Sequence, residues 1–323
     1  MDARAPEPAP LFDDIAFGPE GGRAFWLRAS DGVRLRIAHW PALAALEARG
    51  TVLLFPGRTE YCEKYGPTAG ELAAMGYGTL TVDWRGQGLA DRLCPNPMLG
   101  HVDDYGAYQL DVAAMVAAAR ALALPEPFFL LAHSMGGAIG LRALHEGLPV
   151  NAAAFSAPMW GISLSARLRV LAWGASWLAT RLGRACTLAP GTVIETYVLA
   201  NDFAGNQLTK DENRYRFMQR QARAHPELTL GGPSMGWLYA SLRETRALRA
   251  MAPPRVASVT FLGSHERIID TAPVHDLMAR WGDLGRLEMI EGAEHEVLME
   301  PPEIRVRING ALAELFRTHG GET

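Results

Sequence analysis

Apolar and polar positions change period along the chain, and the changes mark out its elements. Between residues 24 and 39 they alternate on either side of the turn signal Ser30-Asp31-Gly32, which predicts a β-hairpin with strands at 24–29 and 33–39. From residue 51 the alternation gives way to short, near-continuous apolar runs: TVLLF (51–55), YGTLTVD (77–83), PFFLLA (127–132) and VNAAAF (150–155). Segments with helical character at 65–76, 104–123 and 135–146 separate these runs. Strands apolar on both faces, spaced by helices, predict a parallel sheet covered on both sides.

The pattern stops near residue 157 and resumes with ASVTFLG (257–263), a helix at 273–281, RLEMIEG (286–292) and a last helix at 302–317. The interruption reads as mainly helical, because Leu164, Leu168, Leu171, Ala175, Leu178 and Leu182 recur at steps of four and three. Pro253-Pro254 marks the return to the sheet. The expected organisation is therefore a disordered or loosely attached segment 1–21, an α/β core formed by 22–156 and 255–323, and an inserted helical cap over 157–254.

Composition narrows the class without fixing it. The chain is 49% hydrophobic and 20% charged with a net charge of −4, so no basic surplus points to a nucleic-acid partner. Its three cysteines, Cys62, Cys94 and Cys186, are far apart and form no C-x-x-C pair; they read as free thiols in a reducing compartment. The opening MDARAPEPAP lacks the basic start and apolar run of a secretory signal, which sets the expectation of a cytoplasmic protein. Arg167, Arg169 and Arg181 interrupt the apolar stretch 164–182 and make it a poor transmembrane helix.

Chemistry concentrates at strand ends. In LLAHSMGGAIG, Ser134 sits where an apolar strand meets a glycine-containing helix, a junction that exposes a nucleophilic hydroxyl and aims the Met135 amide into the same space. A helix N-cap would also suit a serine there, but the partners such a nucleophile needs follow in order. Of nine histidines, His295 alone lies between the last strand and the last helix, where loops at the carboxyl ends of parallel strands converge. The carboxylate belongs after the preceding strand, in FLGSHERIID, where Glu266 is favoured and Asp270 is the alternative. Phe55-Pro56-Gly57-Arg58 follows another strand directly, so the Arg58 amide can join that of Met135 as an oxyanion donor. The Arg58 side chain could steer a phosphate-bearing substrate; a charge partner for nearby Glu60 is the plainer account, and no phosphate site is assigned. No H-E-x-x-H, P-loop or ligand cluster occurs, so neither metal nor organic cofactor is expected.

Together LLFPGRTEYCEKYG, VDWRGQGLADR, LLAHSMGGAIG, LTKDENRYRF, GSHERIID and EGAEHEVLME resemble the α/β-hydrolase superfamily, and within it the monoacylglycerol lipase and lysophospholipase group, over residues 22–317. The resemblance implies an eight-stranded, mostly parallel sheet with helices on both faces and a helical cap. It implies Ser134, Glu266 and His295 as the catalytic set, with oxyanion amides from Arg58 and Met135. Ala132 stands where the group usually has glycine, Phe55-Pro56-Gly57 replaces its His-Gly start, and Glu266 occupies the position of an aspartate.

The expected function is hydrolysis of carboxylic esters of a lipid-like alcohol, monoacylglycerol or lysophospholipid, through an acyl-enzyme. A small-ester esterase, an acyltransferase and a noncatalytic ligand-binding protein remain as alternatives on the same fold. The cap, with Trp173 and Trp177 beside its apolar stripe, is the expected place for peripheral contact at the inner membrane surface, against the plainer expectation that the stripe packs on the core. Nothing in the sequence speaks to oligomeric state.

Overall fold

A computed structural model describes residues 7–321. The apolar runs become strands β4 (Thr51–Phe55), β5 (Gly78–Asp83), β6 (Phe128–His133), β7 (Ala152–Ser156), β8 (Ala257–Gly263) and β9 (Gly285–Ile290), all parallel to one another. The hairpin is β2 (Arg23–Arg28) and β3 (Arg34–Trp40), and β3 joins the sheet antiparallel to β5. The order is β1-β2-β3-β5-β4-β6-β7-β8-β9, so the sheet has nine strands where eight were expected.

The extra strand corrects the reading of the N-terminal segment. β1 (Glu7–Ala9) pairs antiparallel with β2, and the short helix α1 (Asp13–Ala16) buries Ile15 and Ala16. A three-residue edge strand containing proline carries no period-2 signal, which is why the sequence pattern passes over it. Residues 1–6 of that segment lie outside the described residues.

Strand alternation sends side chains to opposite faces. Leu53, Phe55, Leu130, Ala132 and Phe155 pack on one side against α3 (Gly106–Ala121), α4 (Met135–His145) and α9 (Ala272–Trp281). Val52, Leu54, Phe129, Leu131 and Ala154 pack on the other against α2 (Gly66–Ala74) and α10 (Pro302–His319). The central strands β4, β6 and β7 are buried throughout, as helices on both faces require.

Between β7 and β8 the chain forms α5 (Ala166–Arg181), α6 (Tyr197–Ala200), α7 (Glu212–Ala224) and α8 (Met235–Ala250). Ser165, Asp211 and Ser234 each accept amide hydrogen bonds at the start of α5, α7 and α8, satisfying donors that the first turn leaves free. The apolar stripe on α5 does not pack on the core: Leu168, Leu171, Leu178 and Leu182 are exposed, and Ser176 is the helix's one fully buried residue. The helix instead rests its Trp173 side on α8, where Trp173 meets Tyr239 edge-on at 5.7 Å. No described helix is long and apolar enough to cross a membrane.

The cysteines also depart from expectation. Cys94, in the loop after β5, and Cys186, in the segment after α5, form a disulfide with Cα atoms 5.6 Å apart; only Cys62 is free, and it is buried. Their separation of 92 residues hides the pairing from any spacing rule, because folding of the inserted segment brings the two loops together. The reading of three free thiols is overturned, and with it the argument from thiols for a reducing compartment.

Candidate active site

Ser134 occupies the turn from β6 to α4 with φ 49° and ψ −117°, a conformation that side chains with a Cβ rarely adopt. The turn is held by the Ser134 amide donating to Ser156 O at 3.0 Å and by the Ser134 carbonyl accepting from the amides of Gly137 and Met159, both at 2.8 Å. Tight approach explains the glycines that follow. A Cβ at position 136 would lie 2.1 Å from Phe55 O, and one at position 137 would lie 2.5 Å from Pro158 Cβ. The methyl of Ala132, where the related pattern has glycine, is accommodated because position 140 is itself glycine; a Cβ there would come within 3.3 Å of the Ala132 Cβ.

The Ser134 hydroxyl lies 2.9 Å from His295 Nε2, and His295 Nδ1 lies 2.6 Å from Glu266 Oε2. Residues from three strand ends, separated by up to 161 positions, thus meet in one hydrogen-bonded chain. The other oxygen of Glu266 accepts the amides of Ile268 and Ile269 at 2.6 and 3.1 Å. Burial opposes its ionised form, but the contact with His295 and these two amides outweigh that cost and hold the carboxyl below its usual range. Asp270, the alternative, faces away and pairs with Arg169 at 3.0 Å. Arg58 and Met135 follow β4 and Ser134 respectively; the amides on either side of Arg58 are taken by Glu60 and Gln87, whereas those of Arg58 and Met135 have no protein acceptor among the described residues.

Ser134 and His295 line a cavity of about 410 Å³ whose walls are mostly apolar, with Met159, Ile162, Val198, Leu208, Met218 and Trp237 contributed from around and within the inserted segment. Sequence reasoning missed its buried polar floor. Lys64 binds Glu60 and, at 2.6 Å, Glu296, while His133 Nε2 lies 3.3 Å from Glu296 and 3.6 Å from Glu60. Burial disfavours charge on Lys64 and His133, but both carboxylates outweigh it and hold the two groups above their ordinary ranges. The signal available was the spacing Glu60-x-x-x-Lys64 beside the first strand end and a glutamate directly after His295. Nothing in one sequence, however, joins those segments. Glu60, His133 and Glu296 could together face a cation, and the Lys64 ammonium already fills that role.

Arg58 is not the partner of Glu60. Its Nη1 donates to Gly231 O at 2.8 Å, its guanidinium carbon stands 5.4 Å from the centre of the Trp237 ring, and no carboxylate lies within 4 Å among the described residues. Burial pushes the guanidinium down to about 10, which leaves it cationic at neutral pH.

Known proteins resemble this chain. The family described as serine aminopeptidase, S33, a hydrolase family, matches residues 46–302. Lysophospholipase L2 of Escherichia coli is 32% identical over 286 residues, covering 83% of this chain and 80% of its own. A probable lysophospholipase L2 of Haemophilus influenzae is 29% identical, with 80% of each chain covered. The crystal structure of a soluble variant of Saccharomyces cerevisiae monoglyceride lipase, in complex with a substrate analog, superimposes with a TM-score of 0.72 at 19% identity, covering 92% of this chain and 95% of that one. At that identity the likeness speaks for the fold.

Proposed function

The chain belongs to the serine aminopeptidase S33 family of α/β hydrolases, and from that premise we propose that it is a serine hydrolase that cleaves carboxylic esters of lipid-like alcohols. The observation that carries the proposal is the chain Ser134–His295–Glu266, with links of 2.9 and 2.6 Å, at the wall of an apolar cavity. His295 Nε2 takes the Ser134 proton as the hydroxyl attacks the ester carbonyl, and Glu266 orients the imidazole and stabilises its cation. The amides of Arg58 and Met135 hold the oxyanion. His295 then protonates the leaving alcohol, and water activated by the same nitrogen releases the fatty acid. Lysophospholipase and monoglyceride lipase are the activities named for relatives and structural neighbours, and an apolar cavity of this size suits an acyl chain.

Peptide cleavage from an amino terminus, which the family description suggests, is disfavoured by charge. An α-ammonium group needs a free carboxylate, yet Glu60 and Glu296 already share the Lys64 ammonium, and Glu60 also accepts the Tyr65 hydroxyl and the Gly57 amide. The unpaired charge in this cavity, Arg58, has the wrong sign.

The same reading gives α5 a role at a lipid surface. Leu168, Val170, Leu171, Trp177 and Leu178 are exposed on α5 and Leu182 just after it, with Arg167, Arg181 and Arg184 beside them, the make-up of a segment that lies in an anionic interface.

The decisive experiment combines labelling and turnover. A fluorophosphonate probe is expected to label the wild-type protein and not Ser134→Ala, and the wild type is expected to hydrolyse long-chain esters in a panel varying acyl length and head group. Absence of labelling in folded wild-type protein would overturn the reading, as would cleavage of aminoacyl amides without cleavage of esters.

A further inference from the structure

The cavity contains four side chains able to carry positive charge, and three of them are accounted for. Lys64 and His133 face Glu60 and Glu296, and His295 faces Glu266. Arg58 alone is left without an anion among the described residues. It is nonetheless well held. Its Nη1 is fixed by Gly231 O, its flat group lies near the Trp237 ring, and a Cβ at Gly100 would come within 2.9 Å of both Nη1 and Leu230 Cδ2. A guanidinium partly withdrawn from water without a counter-charge is costly. Such an arrangement is explained when the bound molecule brings the anion. The position on the chain is informative as well: the amide of this same residue is the proposed oxyanion donor, so the side chain departs from a point next to the scissile carbonyl.

Resting on the serine-hydrolase reading, we infer that the Arg58 side chain reads a phosphate group on the alcohol portion of the substrate, so that this residue is what favours an acylglycerol phosphodiester over a neutral monoacylglycerol. The free edge of the guanidinium receives the phosphate oxygens while the acyl chain fills the apolar wall of Met159, Ile162, Val198, Leu208 and Met218. Glycerol separates ester from phosphate by a few bonds, the reach over which a side chain and the amide of one residue can serve both. The guanidinium remains charged at neutral pH, so the contact is available there.

The test compares 1-oleoyl-lysophosphatidylethanolamine with 1-oleoylglycerol, which share an acyl chain, on wild type, Arg58→Met and Arg58→Lys. Effects of the substitutions on the common chemistry cancel in the ratio of the two kcat/KM values. Arg58→Met is expected to lower that ratio by about tenfold or more, the size of a lost charge-assisted pair, and Arg58→Lys to lower it less. An unchanged ratio would overturn the inference while leaving the hydrolase reading intact, since that reading fails only when neither substrate turns over and Ser134 does not label. Should Arg58→Met not fold, the wild type decides by protection. Glycerol 3-phosphate is expected to slow fluorophosphonate labelling at concentrations where glycerol does not, and equal effects of the two would refute a phosphate contact.

Discussion

Glu266 divides its work between two oxygens. One meets His295, and the other caps the turn that follows through the amides of Ile268 and Ile269. The extra methylene of glutamate over aspartate is thereby held in place rather than left to wander. Glu266→Gln should lower kcat on the order of 10³-fold or more, because an amide can force the wrong imidazole tautomer, whereas Asp270→Asn should stay near wild type. A loss confined to the second variant would reverse the assignment. The same carboxyl sets a pH dependence. Its folded value lies below its unfolded one, so its contribution to stability is complete above the unfolded value near 4.5 and fades as pH falls through the folded one. The stability gap between wild type and Glu266→Gln, read by urea unfolding, should therefore be level at neutral pH and narrow in acid. Ser134, His295 and the two candidate acids were legible because each sits where a strand stops. The choice between the acids was not, since both follow the same strand and only the fold shows which one faces the histidine. The Lys64 network was illegible for a related reason: its four members come from three segments whose meeting is a property of the sheet order.

At the scale of elements, periodicity located most strands and helices to within a residue or two, but it reports that a face exists and not what the face meets. The stripe on α5 has the spacing of a core helix, yet its leucines point outward. The helix buries a narrow side of small residues and Trp173 on α8, which leaves the broad apolar side free. Replacing Leu171 and Leu178 by glutamate should therefore leave the fold unchanged, as surface substitutions usually do, and weaken sedimentation with vesicles of anionic phospholipid. Unaltered sedimentation would mean that this face is not the one that meets lipid. At the other end of the chain, β1 and α1 escaped notice because they draw stability from partners far away. The Phe12 ring stacks on His225, and its amide donates to Glu63, which is itself locked to buried Arg36.

Over the whole molecule, the mostly parallel sheet was foreseeable from the succession of buried runs, and the insertion from the gap in that succession. The disulfide was not, because two cysteines separated by 92 residues become neighbours only once the inserted segment has folded over the core. Reducing it, or replacing Cys94 and Cys186 by alanine, should lower stability by about 2–4 kcal/mol, the typical contribution of a bond closing a long loop. Thermal unfolding with and without reductant measures this, and coincident transitions would show that the bond constrains little. The bond also bears on mechanics. The inserted segment leaves the sheet after β7 and rejoins it before β8, two feet about which a flap could swing. The cross-link adds a third covalent tie beyond α5. A segment tied covalently at three points has fewer hinge motions open to it than one tied at two. With the bond formed, hinge opening of the inserted segment over Ser134 is therefore restricted, and reduction is expected to loosen the entrance without touching any group at its base.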